Sequence, residues 1–282
     1  QIQVAQFGPK ELEAAVVTAT LTTSRDEQVA AKSFPPMQLA SGDLRSVGRI
    51  EFPLVGDRIK APEKLTLTIA IEGTSLRNRY PIWVYPPKID TTVPAGVLVA
   101  SSFAAVETSA HLAAGGKVLL LPKLDKLPYS VPGGFQCEFW SPMFAEAAKK
   151  RNDPLEVPGT LGILCDPKTP ALVHFPTEFH SDWQWWHLVK NARPIAYDGS
   201  PPDFRPVVQV VDNFVRNQKL GLIAETKVGK GTLLICAIDL QAHQDKPEAR
   251  QMLHSLLRYM DSPAFAPQHE LDAALLDKLL PD

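Results

Sequence analysis

From Gln1 to about Tyr85, apolar and polar positions alternate with period two. In Leu65-Thr-Leu-Thr-Ile-Ala-Ile71, residues Leu65, Leu67, Ile69 and Ile71 share one face, while Thr66, Thr68 and Ala70 share the other. That alternation suits a strand with one buried side. The same reading predicts strands over residues 2–7, 14–22, 29–34, 47–54 and 80–85. Turn formers lie between them at Gly8-Pro9, Ser41-Gly-Asp43, Gly56-Asp57 and Glu72-Gly73. Short strands at a spacing of about a dozen residues predict an antiparallel, immunoglobulin-like β-sandwich over residues 1–86, without a helix.

Pro86-Pro-Lys-Ile-Asp-Thr-Thr-Val-Pro94 interrupts the pattern. Proline cannot donate to a strand ladder and stiffens a connection, so residues 87–94 are read as a linker. Beyond it the texture becomes α/β, over residues 95–265. Gly96-Val-Leu-Val-Ala100 reads as a short strand, Ala104 to Ala114 as a helix capped by Gly115-Gly116, and Lys117 to Leu121 as the next strand, which together make a β-α-β unit. A second helix is predicted from Glu178 to Lys190, then strands at 193–197, 207–214, 220–228 and 232–240. Gly229-Lys-Gly231 is a hairpin turn between the last two. A helix starts at Pro247 with Asp245 as its expected N-cap, carries Met252, Leu253, Leu256, Leu257 and Met260 as its apolar stripe, and stops at Ser262-Pro263. The terminal segment, residues 266–282, predicts an amphipathic helix from His269 to Leu280 with Leu271, Leu275, Leu276 and Leu279 on its apolar side. Its leucines face either the body of the protein or a partner.

Composition narrows the function classes. With 29 Lys and Arg against 31 Asp and Glu, the net charge is -2, so no basic surplus exists to pair with nucleic-acid phosphates. The longest apolar runs fall far short of the roughly 20 residues needed to span a bilayer, so no membrane partner is expected. Proline is abundant, 26 of 282 residues against a usual share of about 5%, which excludes long helical bundles. The chain opens at Gln1 without methionine, as expected of a processed product or a piece of something longer.

Three cysteines, Cys137, Cys165 and Cys236, cannot all pair, and they lack zinc-ligand spacing. His180 and His187 are separated by seven residues rather than the four that put two imidazoles on one helical metal site. No metal and no cofactor are therefore expected, and Gly115-Gly116 and Gly229-Lys-Gly231 do not match a phosphate-cradling motif. A nucleophile elbow of the GxSxG kind is also missing. Gly162-Ile-Leu-Cys165-Asp-Pro lacks the second glycine, and Pro167 opposes a helix start there.

The most unusual stretch is Phe175-Pro-Thr-Glu-Phe-His-Ser-Asp-Trp-Gln-Trp-Trp-His-Leu188. In a helix, Trp183, Trp186 and His187 share one face and Trp185 points elsewhere. One reading is an aromatic platform for a sugar ring, with Glu178, His180 and Asp182 as hydrogen-bonding groups and Trp140, Trp185 as further aromatic candidates. The other has the indoles filling the seam between sheet and helix, with the polar groups capping the helix. Carboxylates that could serve acid/base chemistry are Glu138, Glu178, Asp182, Asp198, Asp203 and Asp212, but spacing nominates no pair among them.

Residues 65–75 and Tyr80-Pro-Ile-Trp-Val-Tyr-Pro86 resemble an immunoglobulin-like accessory domain of bacterial glycoside hydrolase family 2 proteins. The segments from Phe175 to Trp186, Phe204 to Phe214 and Lys227 to Gly231 are similar to the C-terminal region of the same proteins. The resemblance implies a flavodoxin-like, class I glutamine amidotransferase-like three-layer domain that has lost its nucleophile. It also implies an upstream catalytic barrel in the same polypeptide, with β-galactosidase or β-glucuronidase as the parent activity and a periplasmic or secreted location. A (β/α)₈ barrel takes about 250 residues, more than remain after Pro94, so its catalytic glutamates have no positions here. The expectation is a non-catalytic C-terminal accessory module that supports the barrel, binds glycan or forms homo-oligomers. The alternatives are an autonomous amidotransferase-like or esterase-like hydrolase using Cys165, and a protein-protein interaction module built on the last helix.

Overall fold

A computed structural model of the chain describes residues 1–52, 59–135, 160–213 and 216–281. The chain divides into two compact units, Gln1–Pro87 and Lys88–Asp282. The first is β-rich and the second is α/β.

In the first unit, β3 (Val17–Thr22) lies between β4 (Gln28–Ser33) and β7 (Glu63–Ile71), and β8 (Arg77–Val84) extends the antiparallel sheet beyond β7. Two shorter pairs accompany it, β1 (Ile2–Gln6) with β6 (Asp43–Gly48) and β2 (Leu12–Ala15) with β5 (Met37–Leu39). Ile2, Ala15, Val17, Ala19, Phe34, Leu39 and Ile71 form one core, while Leu21, Leu65 and Val84 form another. The stretch expected as one strand over 14–22 is two. Ala14 has φ +51, a left-handed conformation that breaks the pleat, so β2 pairs with β5 while β3 pairs in the larger sheet. The strand expected over 47–54 ends at Gly48, and residues 53–58 lie outside the described set.

The second unit holds a seven-stranded sheet in the order β11 (Gly162–Cys165), β13 (Val208–Val211), β14 (Leu220–Val228), β15 (Gly231–Cys236), β10 (Lys117–Leu120) and β9 (Val97–Ala100), with β12 (Ile195–Ala196) also on β14. Its parallel half consists of β9, β10 and β15. Its antiparallel half consists of β11, β12, β13 and β14. Helix α1 (Val106–Ala113) crosses from β9 to β10 and ends in two reciprocal bonds. The Gly116 amide donates to the His111 carbonyl at 2.9 Å and the Gly115 amide to Leu112 at 2.9 Å, with Gly115 at φ +86. This is a Schellman closure, in which glycine takes the left-handed position without a Cβ penalty. The β14–β15 turn places Gly229 at φ +58, as a type II′ hairpin requires at its first central position. Gly231 then passes so close to α1 that a Cβ there would sit 2.6 Å from the Leu112 carbonyl oxygen.

Side-chain parity assigns the helices to opposite faces. Val118, Leu120, Leu233 and Ile235 share a core with Leu112 of α1 and with Leu276 and Leu279 of α4 (Ala273–Leu279). Helix α3 (Pro247–Asp261) covers the other face, where its Tyr259 hydroxyl donates to Glu225 at 2.6 Å and its Met260 carbonyl accepts from Lys117 Nζ at 2.6 Å. The leucine side of the last helix is thus occupied by its own sheet. Asp272 caps α4 by accepting from the Ala274 amide, which starts the helix later than His269.

Two helix expectations need correction. Asp245 is not the N-cap of α3: that position is Lys246, without a side-chain cap, and Asp245 instead pairs with Lys246 Nζ at 2.9 Å. The helix expected from Glu178 to Lys190 is only α2 (Trp185–Lys190). Its first half is irregular and pairs with β11, since the Cys165 amide donates to the Phe179 carbonyl at 3.0 Å and Leu164 bridges His180. The outer edge of β11 would otherwise carry unpaired amides, and satisfying them outweighs the local helical pattern.

Candidate functional site

The three tryptophans of residues 183–186 separate into two environments because α2 begins only at Trp185. Asp182 starts the turn, its carbonyl accepting from the Trp185 amide at 3.1 Å and its carboxylate from the Gln184 amide at 3.2 Å. Trp185 then points inward. It is 0% exposed, packs edge-on against Phe175, and donates its indole N–H to Thr177 Oγ1 at 2.8 Å. Complete burial with a satisfied N–H makes it a core residue that no sugar can reach.

Trp183 and Trp186 point outward, 74% and 43% exposed. Their ring centroids are 6.1 Å apart with planes tilted by 50°. Phe135 stacks on Trp186 at 5.5 Å and only 11° from parallel. The three rings make a shallow aromatic surface. Phe179, also exposed, meets the His180 ring edge-on at 4.7 Å.

The polar candidates take varied positions. His180 Nδ1 lies 3.0 Å from the Ser181 carbonyl, which holds the ring against its own backbone. The Glu178 carbonyl accepts from Cys165 Sγ and from Thr177 Oγ1, so its main chain serves the β11 edge. His187 faces Glu248 of α3 at 4.0 Å. Asp212 is a structural carboxylate, bound to Arg216 at 2.6 Å and accepting the Gln218 amide at 3.1 Å. Asp198 accepts the Lys219 amide at 3.3 Å. Trp140, Glu138 and Cys137 lie outside the described residues.

The two described cysteines are poor nucleophiles. Burial, with help from Asp166 and Asp182, pushes the Cys165 thiol up to about 11, and its S–H already points to the Glu178 carbonyl. Burial pushes Cys236, deep in β15, up to about 12. A thiolate at neutral pH is disfavoured at both positions. Among the described residues, no group of three His, Cys, Asp or Glu side chains is placed to hold a metal ion, and no helix is long and apolar enough to cross a membrane.

Sequence reading missed a second feature, a crevice at the carboxyl ends of the parallel strands. One cavity of about 280 Å³ lies beside Ser101, Ser102, Lys123 and Lys126, and another of about 510 Å³ beside Lys123, Asp125 and Asp239. Part of the signal was available, since Ser101, Ser102, Lys123, Asp125 and Lys126 fall within six positions after the end of a predicted apolar strand, whereas Asp239 lies inside the strand expected over 232–240, and β15 ends at Cys236. What the sequence does not carry is that β15 lies next to β10 despite the long intervening chain.

No curated protein matches the chain. Residues 1–86 match a family described as a domain of unknown function, DUF8488. Residues 99–281, which carry the whole of α1, the crevice and the aromatic surface, match a second domain of unknown function, DUF8487, and the chain belongs to that family.

Proposed function

We propose that this chain is a non-catalytic accessory module of a family 2 type glycoside hydrolase and that it holds glycan through the surface formed by Phe135, Trp183 and Trp186. In this reading the β-rich unit is an immunoglobulin-like sandwich. The α/β unit is a flavodoxin-like, amidotransferase-like domain without its nucleophile. The catalytic barrel belongs to the rest of the parent polypeptide.

The aromatic surface carries the reading. Two indoles left in water, one of them stacked nearly parallel on a phenyl ring, form an apolar patch of the kind that marks a ligand or partner site. Pyranose rings present C–H faces that bury against such rings, while their hydroxyls stay at the wet margin. The raised thiol of Cys165 argues against a hydrolase built on that residue, which would need a thiolate.

Calorimetric titration of the full chain with gluco- and galacto-oligosaccharides tests the proposal, with tryptophan fluorescence as a second readout. Binding is expected, with loss of at least about tenfold in affinity in the Trp183→Ala/Trp186→Ala variant, and no release of phenol from aryl β-galactosides or β-glucuronides. A silent titration across the panel removes the glycan role. Turnover that disappears in Cys165→Ala would instead identify an autonomous hydrolase.

A further inference from the structure

The parallel half of the second unit's sheet contains a reversal in the direction of its connections. After β9 the chain turns to the face carrying α1, and after β10 it turns to the same face, where Leu127 joins the core of α1 and α4. After β15 it turns to the opposite face and enters α3, which lies over Glu225. Strands β10 and β15 are adjacent and parallel, so their exits diverge, and among the described residues no connection fills the space between them. In open α/β sheets such a point leaves a crevice outside the strand ends, and ligands settle there.

The crevice is present. The cavity of about 510 Å³ lies between the exits of β10 and β15, and the cavity of about 280 Å³ lies between those of β9 and β10. They share Ser101, Pro122 and Lys123, so they are parts of one depression across three strand ends. These volumes are of the size of small-molecule sites.

Its chemistry is graded from one end to the other. The smaller cavity has an apolar floor that includes Phe103 and Leu127, with Lys123 and Lys126 beside it. Among the described residues neither lysine has a carboxylate within ion-pairing reach. The larger cavity adds Asp125, Asp239 and Gln241, groups suited to hydroxyls. Asp239 is held in place, its Oδ1 accepting the Ala242 amide at 3.0 Å. Two lysines lining one cavity suit a dianion, and lysine serves phosphate as a compact point charge.

We infer that the crevice at the carboxyl ends of β9, β10 and β15 binds a small phosphorylated sugar, with its phosphate at Lys123 and Lys126 and its hydroxyls toward Asp125, Asp239 and Gln241. This site is separate from the aromatic surface, so either assignment stands or falls alone.

The test uses the full chain and three probes, glucose 6-phosphate, glucose and inorganic phosphate, read by calorimetry and by amide chemical shifts. Glucose 6-phosphate is expected to saturate below about 10 mM and to shift the amides of Ser101, Lys123 and Asp239. Glucose and inorganic phosphate should each bind at least about tenfold more weakly, and Lys123→Ala/Lys126→Ala should lower glucose 6-phosphate affinity by about tenfold or more. Lys227→Ala/Lys230→Ala, at the hairpin that precedes β15, serves as a charge control and should leave affinity unchanged. Absence of saturation, insensitivity to the Lys123/Lys126 variant, equal loss in the control, or equal affinity for glucose or inorganic phosphate would each overturn the inference.

Discussion

The two halves of the second unit's sheet solve the same problem differently. In the parallel half, Val118, Leu119 and Leu120 of β10 and Leu233, Leu234 and Ile235 of β15 are all buried, because helices cover both faces. In the antiparallel half, β11 and β13 keep Leu164 and Val211 partly exposed, and β11 is finished at its outer edge by an irregular segment around Phe179 and His180. The parallel half thus leaves its open space at the strand ends, where connections diverge. The antiparallel half carries its feature on the covering segment, where one tryptophan anchors and two are displayed. A sheet region covered on both faces can bind only beyond its strands, whereas an edge covered by a loop can present side chains from that loop.

The largest test of this contrast is within the tryptophan run. Trp185→Ala should cost about 3–5 kcal/mol, because it empties a fully buried site and removes the indole N–H that donates to Thr177 Oγ1. The loss corresponds to a fall of roughly 10 °C in thermal midpoint, measurable by calorimetry. Trp183→Ala and Trp186→Ala should each change stability by less than about 1 kcal/mol. Equal destabilisation by all three would erase the distinction between anchor and display.

An intermediate effect is expected in the parallel half at Gly231. A valine there must push against the Leu112 and Gly116 carbonyl oxygens, which lie 2.6 and 2.8 Å from the added Cβ. The cost should be about 1–3 kcal/mol in denaturant unfolding. Gly229→Val would be strained by its φ of +58 instead, with nothing close to the added Cβ, so comparing the two separates packing from backbone conformation.

The smallest effect is pH-dependent and lies between α3 and the sheet. Burial raises the Glu225 pKa, and the hydrogen bond donated by Tyr259 offsets only part of this. A carboxyl whose pKa is raised by folding contributes stability below its unfolded value of about 4.3, and this is lost as pH rises through the folded value. Glu225→Gln should therefore match the parent near pH 4 and exceed it in thermal midpoint at pH 7. A gap that shrinks as pH rises would refute the assignment.

Much of the strand framework was legible. The alternation at Leu65 to Ile71 is β7, the run from Leu220 to Val228 is β14, and Gly229-Lys-Gly231 turns between β14 and β15. Each signal is local, a period of two or a residue that tolerates positive φ. The Trp-rich segment was not legible in the same way. Its helical spacing is real from Trp185 onward, but the amides of β11 recruit Phe179 and His180 into pairing. That competition involves a strand more than a dozen residues away, and no window of sequence contains it.

By itself the sequence determined the β-rich and α/β textures, the hairpin and the cap of α1, because alternation, glycine and proline act on their immediate neighbours. Tertiary structure alone decided that Trp185 is core while Trp183 and Trp186 face water, that the last helix covers its own sheet, and that Lys123 and Asp239 border one crevice. These outcomes depend on which strands become neighbours. Strand adjacency is set by the summed burial of distant apolar runs and by the need of every edge amide for a partner.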